Sequence, residues 1–282
     1  MRPARGAKTP HMTEPSFLNG ATSVIGIVGD PIAQVKSPAG MTVGLNERGQ
    51  NSIVVPFHVT RERLAAFVDG VTLAGNVSGI IVTVPHKLAC FELCATASPR
   101  SALLRAVNVM RRTPEGAWHG DIFDGEGFVA AQKQAGCQPE GKRVLLVGAG
   151  GAGSAIALAF LEAGVAELAL RDGDAARRDG LIAQLAPIAG GRLRAGSADP
   201  SGFDIIANAT PAGMRPGDPL PVDAERLTPA MFVGDVITAP VETPLLRAAR
   251  AKGCATQTGI GMFNAVRELM LDFYAPKAGA PV

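Results

Sequence analysis

The stretch that constrains this chain most is Val144-Leu145-Leu146-Val147-Gly148-Ala149-Gly150-Gly151-Ala152-Gly153-Ser154-Ala155-Ile156-Ala157. Four β-favouring residues run into a glycine-rich turn, which opens an Ala/Leu-rich stretch with helical spacing: a strand-turn-helix unit. Gly148 permits the tight turn, Gly150 lets backbone N–H groups approach a pyrophosphate, and Gly153 lets the helix pack closely on the strand. A phosphate at that helix N-terminus meets unpaired N–H groups and the positive end of the macrodipole.

Glycine turns also occur where nothing binds, so the surrounding order matters. After Gly164 a second apolar run, 167–170, ends at Arg171-Asp172, where an acidic residue meets an adenosine ribose. Strand, turn, helix and acid therefore follow the order that a dinucleotide site requires.

The 282 residues suffice for two cores, and a composition with 47% hydrophobic and 18% charged residues describes a buried globular protein rather than a disordered one. A formal net charge of +2 recruits neither nucleic acid nor a membrane surface. No apolar run approaches the roughly eighteen residues of a membrane span, and residues 1–20 lack the apolar core of a secretory signal, reading instead as a flexible tail. The expectation is a cytoplasmic protein. Cys90, Cys94, Cys137 and Cys254 show no CxxC spacing and no completing histidine, so they read as buried thiols and no metal site is expected.

Along the chain, strands are expected over 24–28, 53–57 and 79–84, with helices starting at Ser37-Pro38 (serine as cap), over 61–73, around 88–95 and from Ser98-Pro99. A strand around 107–110 and a connecting helix over 127–135 follow. Strands and helices then alternate from Lys142 onward, with strands at 203–207 and 231–237, a helix from Thr243-Pro244 and a last apolar helix over 262–274. Such alternation implies an α/β fold with a doubly wound parallel sheet. Lys87 follows the third strand, at the carboxyl end where open α/β sheets place their ligands.

Many of these landmarks together resemble the shikimate/quinate dehydrogenase family, over residues 24–274. The matching pieces are Gly29-Asp30-Pro31-Ile32 with Lys36-Ser37-Pro38, Val82-Thr83-Val84-Pro85-His86-Lys87, Ala106-Val107-Asn108 and Asp124-Gly125. The glycine loop, Asn208-Ala209-Thr210-Pro211, Gly213-Met214, Gly234-Asp235-Val236, Thr243-Pro244-Leu245-Leu246 and Gly261-Met262 continue the series in the family's order.

The resemblance implies an N-terminal α/β substrate domain (21–124), a C-terminal Rossmann NAD(P)-binding domain (125–258) and a last segment (259–282) that returns to the first domain. It implies reversible NAD(P)-dependent oxidation of a ring hydroxyl on a shikimate- or quinate-like cyclic hydroxy acid, by a monomer or homodimer. Lys87 and Asp124 carry over as the catalytic pair. Independently of any family, oxidising a secondary alcohol releases a proton as the hydride leaves, so one group must accept it and another must hold that acceptor. Ser37, Thr83 and Asn108 carry over as substrate ligands, although Ser37 also reads as an N-cap and Thr83 as a strand residue. The cofactor set is Gly148, Ala149, Gly150, Gly151, Ala152, Gly153, Arg171, Asp172, Arg177, Asn208, Ala209, Thr210, Pro211, Val236, Gly259 and Met262. A dinucleotide-binding sensor that kept the fold and lost turnover is the alternative; the Lys87/Asp124 pair speaks against it.

Six residues at four places depart from the family pattern. Gln34-Val35 replaces a His-Ser pair, Ile122-Phe123 an Asn-Thr pair, Thr238 a tyrosine and Val266 a glutamine. Each lost polar partner leaves a substrate oxygen short by about 1–3 kcal/mol, so a changed substrate with a more apolar edge at Val35, Ile122, Phe123 and Val266 is expected. At the cofactor, an Asn-Arg-Thr segment that grips a 2′-phosphate is replaced by Arg171-Asp172-Gly173-Asp174. A carboxylate there repels a phosphate and favours NAD over NADP, while Arg171, Arg177 and Arg178 supply the opposing charge.

Overall fold

The computed structural model of the chain describes residues 18–276. Most of the expected tail, 1–17, and the end of the last segment, 277–282, lie outside the described residues.

The first half runs β1 (Ser23–Gly29), α1 (Ser37–Glu47), β2 (Ser52–His58), α2 (Leu64–Thr72), β3 (Val77–Val82), α3 (Lys87–Phe91), β4 (Thr96–Ala97), α4 (Pro99–Leu104), β5 (Val109–Arg112), β6 (Trp118–Asp121) and α5 (Asp124–Gln134). The second runs β7 (Arg143–Val147), α6 (Gly151–Glu162), β8 (Glu167–Arg171), α7 (Ala175–Ala189), β9 (Leu193–Ala195), β10 (Ile205–Asn208), β11 (Phe232–Asp235), α8 (Pro244–Ala251), β12 (Ala255–Gln257) and α9 (Gly259–Tyr274).

Two six-stranded sheets result, in the orders β2-β1-β3-β5-β6-β4 and β12-β11-β10-β7-β8-β9. The second is parallel throughout, as alternation predicts. The first is mixed, because β5 runs antiparallel to both β3 and β6. For β5 and β6 the physical reason is loop length: the short 113–117 connection allows only a hairpin, whereas a parallel neighbour needs a crossover of a dozen residues or more. Strand β6, Trp-His-Gly-Asp, is absent from the sequence reading because it carries no apolar run.

Both faces of the second sheet are covered. Val144 and Leu146 pack with Ile156 and Phe160 on one side, while Leu145 and Val147 pack with Leu245 and Leu246 on the other. Strand alternation thus buries every residue of the apolar run, at about 1.5–3 kcal/mol per large side chain. Helix α5 bridges the two halves through its glycines: a Cβ on Gly125 would overlap the Ala155 carbonyl of α6, and one on Gly127 would overlap Val266 of α9. Helix α9 then returns to the first sheet. Tyr274 donates its hydroxyl to the Ile80 and Met110 carbonyls at 3.0 and 3.3 Å, and Arg48, at the C-terminal cap of α1, pairs with Asp272 at 2.7 Å.

Local start signals hold at two sites and fail at one. Ser98 and Thr243 cap α4 and α8, accepting from the N–H groups of Ser101 and Leu246. Ser37 is not a cap: it is the first residue inside α1, Lys36 occupies the cap position, and no side chain caps the helix.

Candidate active site

The sheet ends converge on a cavity of about 240 Å³ between the two halves. Its polar side begins where β3 stops. Thr83 N–H bonds the Val28 carbonyl, Val82 N–H bonds the Asn108 carbonyl, and Asn108 N–H bonds the Asp121 carbonyl, at 2.7–3.0 Å. Three strands therefore fix Thr83 and Asn108 side by side. The buried His86 ring donates Nε2–H to the Val59 carbonyl at 2.7 Å, anchoring the turn that presents Lys87 as the first residue of α3.

Asp124 opens α5, where unpaired N–H groups favour a carboxylate. Lys87 Nζ donates to Asp124 Oδ2, and each side chain is only 11% exposed. Both line the cavity with Ser37, Thr83, Asn108, Val35, Thr238, Val236, Ala152, Gly259 and Met262. Asn108 Oδ1 accepts the Phe123 N–H at 3.1 Å, which leaves Nδ2 to face the cavity.

Phe123 does not belong to this wall. Its ring is 6% exposed, lies under the Arg100 guanidinium at 4.7 Å and meets Phe273 edge-on, and Ile122 is equally buried. An apolar ring gains more from that enclosure than from lining a polar cleft. The anchor above it is charged: Arg100 holds Asp121 by two bonds of 2.8 Å and also pairs with Glu126. Burial pushes the Asp121 carboxyl up, but Arg100 and Ser98 outweigh it and hold it below the usual range.

Helix α9 supplies wall residues that sequence reasoning missed. Phe263 and Met270 line the cavity with Met262 and Val266. The signal was present as a face repeating every three to four residues from Gly259 to Met270. Gln34 also lines the cavity, tied back to the Pro31 carbonyl at 2.8 Å.

The cofactor residues gather around the start of α6. Gly148 has φ +108°, and a Cβ there would crowd Ala209, so the Asn208–Pro211 loop rests directly on the glycine turn. A Cβ on Gly153 would overlap the Gly148 carbonyl, whereas one on Gly150 would meet open space. Gly150 caps the twelve-residue α6 without any side-chain bond, leaving first-turn N–H groups available. These features fit a dinucleotide pyrophosphate: room at Gly150, no competing side chain, and the positive helix end.

Asp172 lies against this turn. Its Oδ2 accepts the Ala149 N–H at 2.7 Å, its Oδ1 the Asp174 N–H at 2.8 Å, and Arg177 approaches it at 3.5 Å. The Arg171 guanidinium is held by the Pro221 carbonyl at 3.0 Å, while its own carbonyl accepts the Gly148 N–H.

Beneath the crevice, the fully buried Asp235 ties β10 to β11. It accepts from Asn208 Nδ2, the Ile237 N–H and the Thr243 hydroxyl at 3.2, 3.0 and 2.8 Å. Burial nonetheless pushes its carboxyl up to about 6. Burial likewise pushes the Cys90 and Cys94 thiols up to about 12, so neither is a thiolate at neutral pH. No helix among the described residues is long and apolar enough to cross a membrane.

Residues 27–110 match the shikimate dehydrogenase substrate binding domain. A shikimate dehydrogenase (NADP(+)) of Rubrobacter xylanophilus is 37% identical over 267 residues, 93% of this chain and 90% of that protein. Among solved structures, the 5-ketofructose reductase of a Gluconobacter strain superposes with a TM-score of 0.79 at 31% identity, covering 91% of this chain and 94% of the other. The quinate dehydrogenase of Corynebacterium glutamicum in complex with NAD superposes with a TM-score of 0.81 at 28% identity, covering 91% and 95%. With the two-sheet architecture, the returning last helix and near full-length identity above 30%, the chain belongs to the shikimate/quinate dehydrogenase family of NAD(P)-dependent alcohol dehydrogenases.

Proposed function

We propose that this enzyme reversibly oxidises a secondary hydroxyl on a shikimate- or quinate-like ring, with Lys87 and Asp124 handling the proton and NAD favoured over NADP. The observation that carries the reading is the Lys87–Asp124 pair in a cavity whose other border, at Ala152, is the first turn of α6. Residues Gly148 to Gly153 would hold the pyrophosphate, and the bound nicotinamide supplies the hydride acceptor.

In the oxidative direction the substrate O–H gives its proton to Lys87 Nζ as hydride departs from the same carbon; reduction reverses both transfers. Asp124 Oδ2 keeps Nζ aimed into the cavity. Thr83 and the free Nδ2 of Asn108 orient the neighbouring hydroxyls, so the reacting carbon arrives in one pose. Water is displaced by the α9 side chains, which strengthens every polar contact inside.

The preference for NAD rests on Asp172. Its carboxylate stands at the end of β8 beside the glycine turn, where a 2′-phosphate would face a negative charge. Relatives named for NADP and solved with NAD both exist, so this residue is the deciding local feature.

Initial rates followed by nicotinamide absorbance test the reading. Lys87→Met is expected to lower kcat by about 10²–10⁴ while coenzyme still binds. Unchanged turnover in that variant would remove Lys87 from the mechanism.

A further inference from the structure

Arg100 does not line the cavity, yet it grips the chain on both sides of a residue that does. Its Nε and Nη2 each donate to the Asp121 carboxylate at 2.8 Å, its flat face lies over the Phe123 ring at 4.7 Å, and its Nη1 donates to Glu126. These partners stand three residues and one residue before Asp124 and two after it. Asp124 faces the cavity, while Arg100, Asp121, Phe123 and Glu126 all lie behind its wall.

Helix α4, which carries Arg100, is held at both ends. Ser98, its cap, bonds the Gly120 carbonyl through its N–H at 3.0 Å and donates its hydroxyl to Asp121, while Gln184 of α7 donates to the Leu103 carbonyl at 2.6 Å. Asp121 passes the constraint on: its Oδ1 also accepts the Ile122 N–H at 2.7 Å, and its backbone carbonyl accepts the Asn108 N–H at 2.8 Å. The next link is the Phe123 N–H, which fixes Asn108 Oδ1 at 3.1 Å. One guanidinium therefore controls two groups of the cavity, the carboxylate that opens α5 and the Asn108 amide. A planar fork can hold one carboxylate with two nitrogens, a second with a third, and an aromatic ring with its face; a lysine ammonium is a point charge and cannot.

We propose that Arg100 is a positioning residue of the reaction: by clamping residues 121–126 from behind the cleft, it aims Asp124 Oδ2 at Lys87 Nζ and turns Asn108 Nδ2 into the cavity. This rests on the reading of Lys87 and Asp124 given above and adds the group that aligns them. Because Asp124 is the first residue of α5, a small rotation of that helix carries its carboxylate off the lysine. Misplacement by about 1 Å costs up to about a hundredfold in rate.

A double-mutant cycle on the full chain tests it, with the fastest substrate among shikimate, quinate and related cyclic alcohols, at a temperature where melting curves show every variant folded. Arg100→Met is expected to lower kcat by about tenfold to a hundredfold, with NADH affinity unchanged in fluorescence titration. In an Asp124→Asn background the same substitution is expected to change kcat by less than about threefold, because the group it aims is already gone; what remains falls on KM, through Asn108. Arg100→Lys keeps the charge and is expected to recover little of kcat. Should Arg100→Met not fold, Asp121→Asn replaces it in the cycle, since it retains Oδ1 but turns an N–H toward Arg100 Nη2, and the same dependence on Asp124 is expected. Losses that multiply in the double variant, an unaltered kcat in the Arg100 or Asp121 variant, or full kcat in Arg100→Lys would overturn the role of Arg100 and leave the Lys87–Asp124 reading standing. Full turnover in Asp124→Asn, or no turnover of any of these alcohols by the parent, would overturn both.

Discussion

The aliphatic stem of Lys87 lies against Gly151: a methyl group at residue 151 would come within 3.1 Å of Lys87 Cδ. The first residue of α6 therefore touches the lysine proposed to handle the proton, across the boundary between the two sheets. Gly151→Ala is expected to displace the lysine by a few tenths of an ångström. It should lower kcat about tenfold through misalignment with the reacting carbon, with little loss of stability. Stopped-flow hydride transfer and thermal melting separate the two effects, and an unaltered kcat would show that the contact has slack.

Gly153 is the stricter position. There an added methyl meets backbone rather than a flexible side chain, since the Gly148 carbonyl occupies the space. Gly153→Ala should cost about 1–3 kcal/mol by overpacking and weaken NADH binding, as read by denaturant unfolding and fluorescence titration. A stable variant with intact NADH affinity would contradict the close helix-strand contact.

Asp172 tests coenzyme choice. Asp172→Asn preserves shape and one acceptor oxygen but removes the charge facing a 2′-phosphate. The ratio of kcat/KM for NAD over NADP is expected to fall by about tenfold or more. Because the carboxylate also holds the Ala149 N–H, a modest rise in KM for both coenzymes should accompany the change. A constant ratio would assign coenzyme choice elsewhere.

Asp235 gives a pH signature. Its proton leaves at 3.8 in the ordinary state and at about 6 in the fold. Between those values the native state binds the extra proton, so stability falls as pH rises through this window, by about 3 kcal/mol, and then levels off. Asp235→Asn does not titrate. Its stability relative to the parent should therefore improve by about that amount between pH 4 and pH 7 in urea unfolding, and a difference independent of pH would refute the assignment.

The legible parts of this protein are those whose chemistry is local in the chain. The glycine turn announces itself because its geometry requires missing side chains at fixed spacing, and Lys87 because it closely follows a buried strand. Phe123 was misplaced because chain proximity to Asp124 does not say which way a side chain turns: residue 123 precedes α5 and drops under Arg100, while residue 124 faces the cavity. The hairpin of β5 and β6 was hidden by Trp118, His119 and Gly120, which pair through backbone rather than by an apolar pattern. The cavity face of α9 was visible as a periodic stripe, but periodicity does not name what a stripe will cover.

The return of α9 sets an order of assembly. As the chain leaves the ribosome, domains ordinarily fold in sequence, the N-terminal one first. Here the first sheet waits for its cover, because the helix that seals it emerges only after the whole second sheet has been synthesised. By then every strand of the second sheet has been made, while the first half stays open along the surface that Met262, Val266 and Met270 later fill. A nascent or truncated chain lacking this helix would carry the glycine turn beside an unfinished cavity, so the turn alone would be a poor indicator of a completed enzyme.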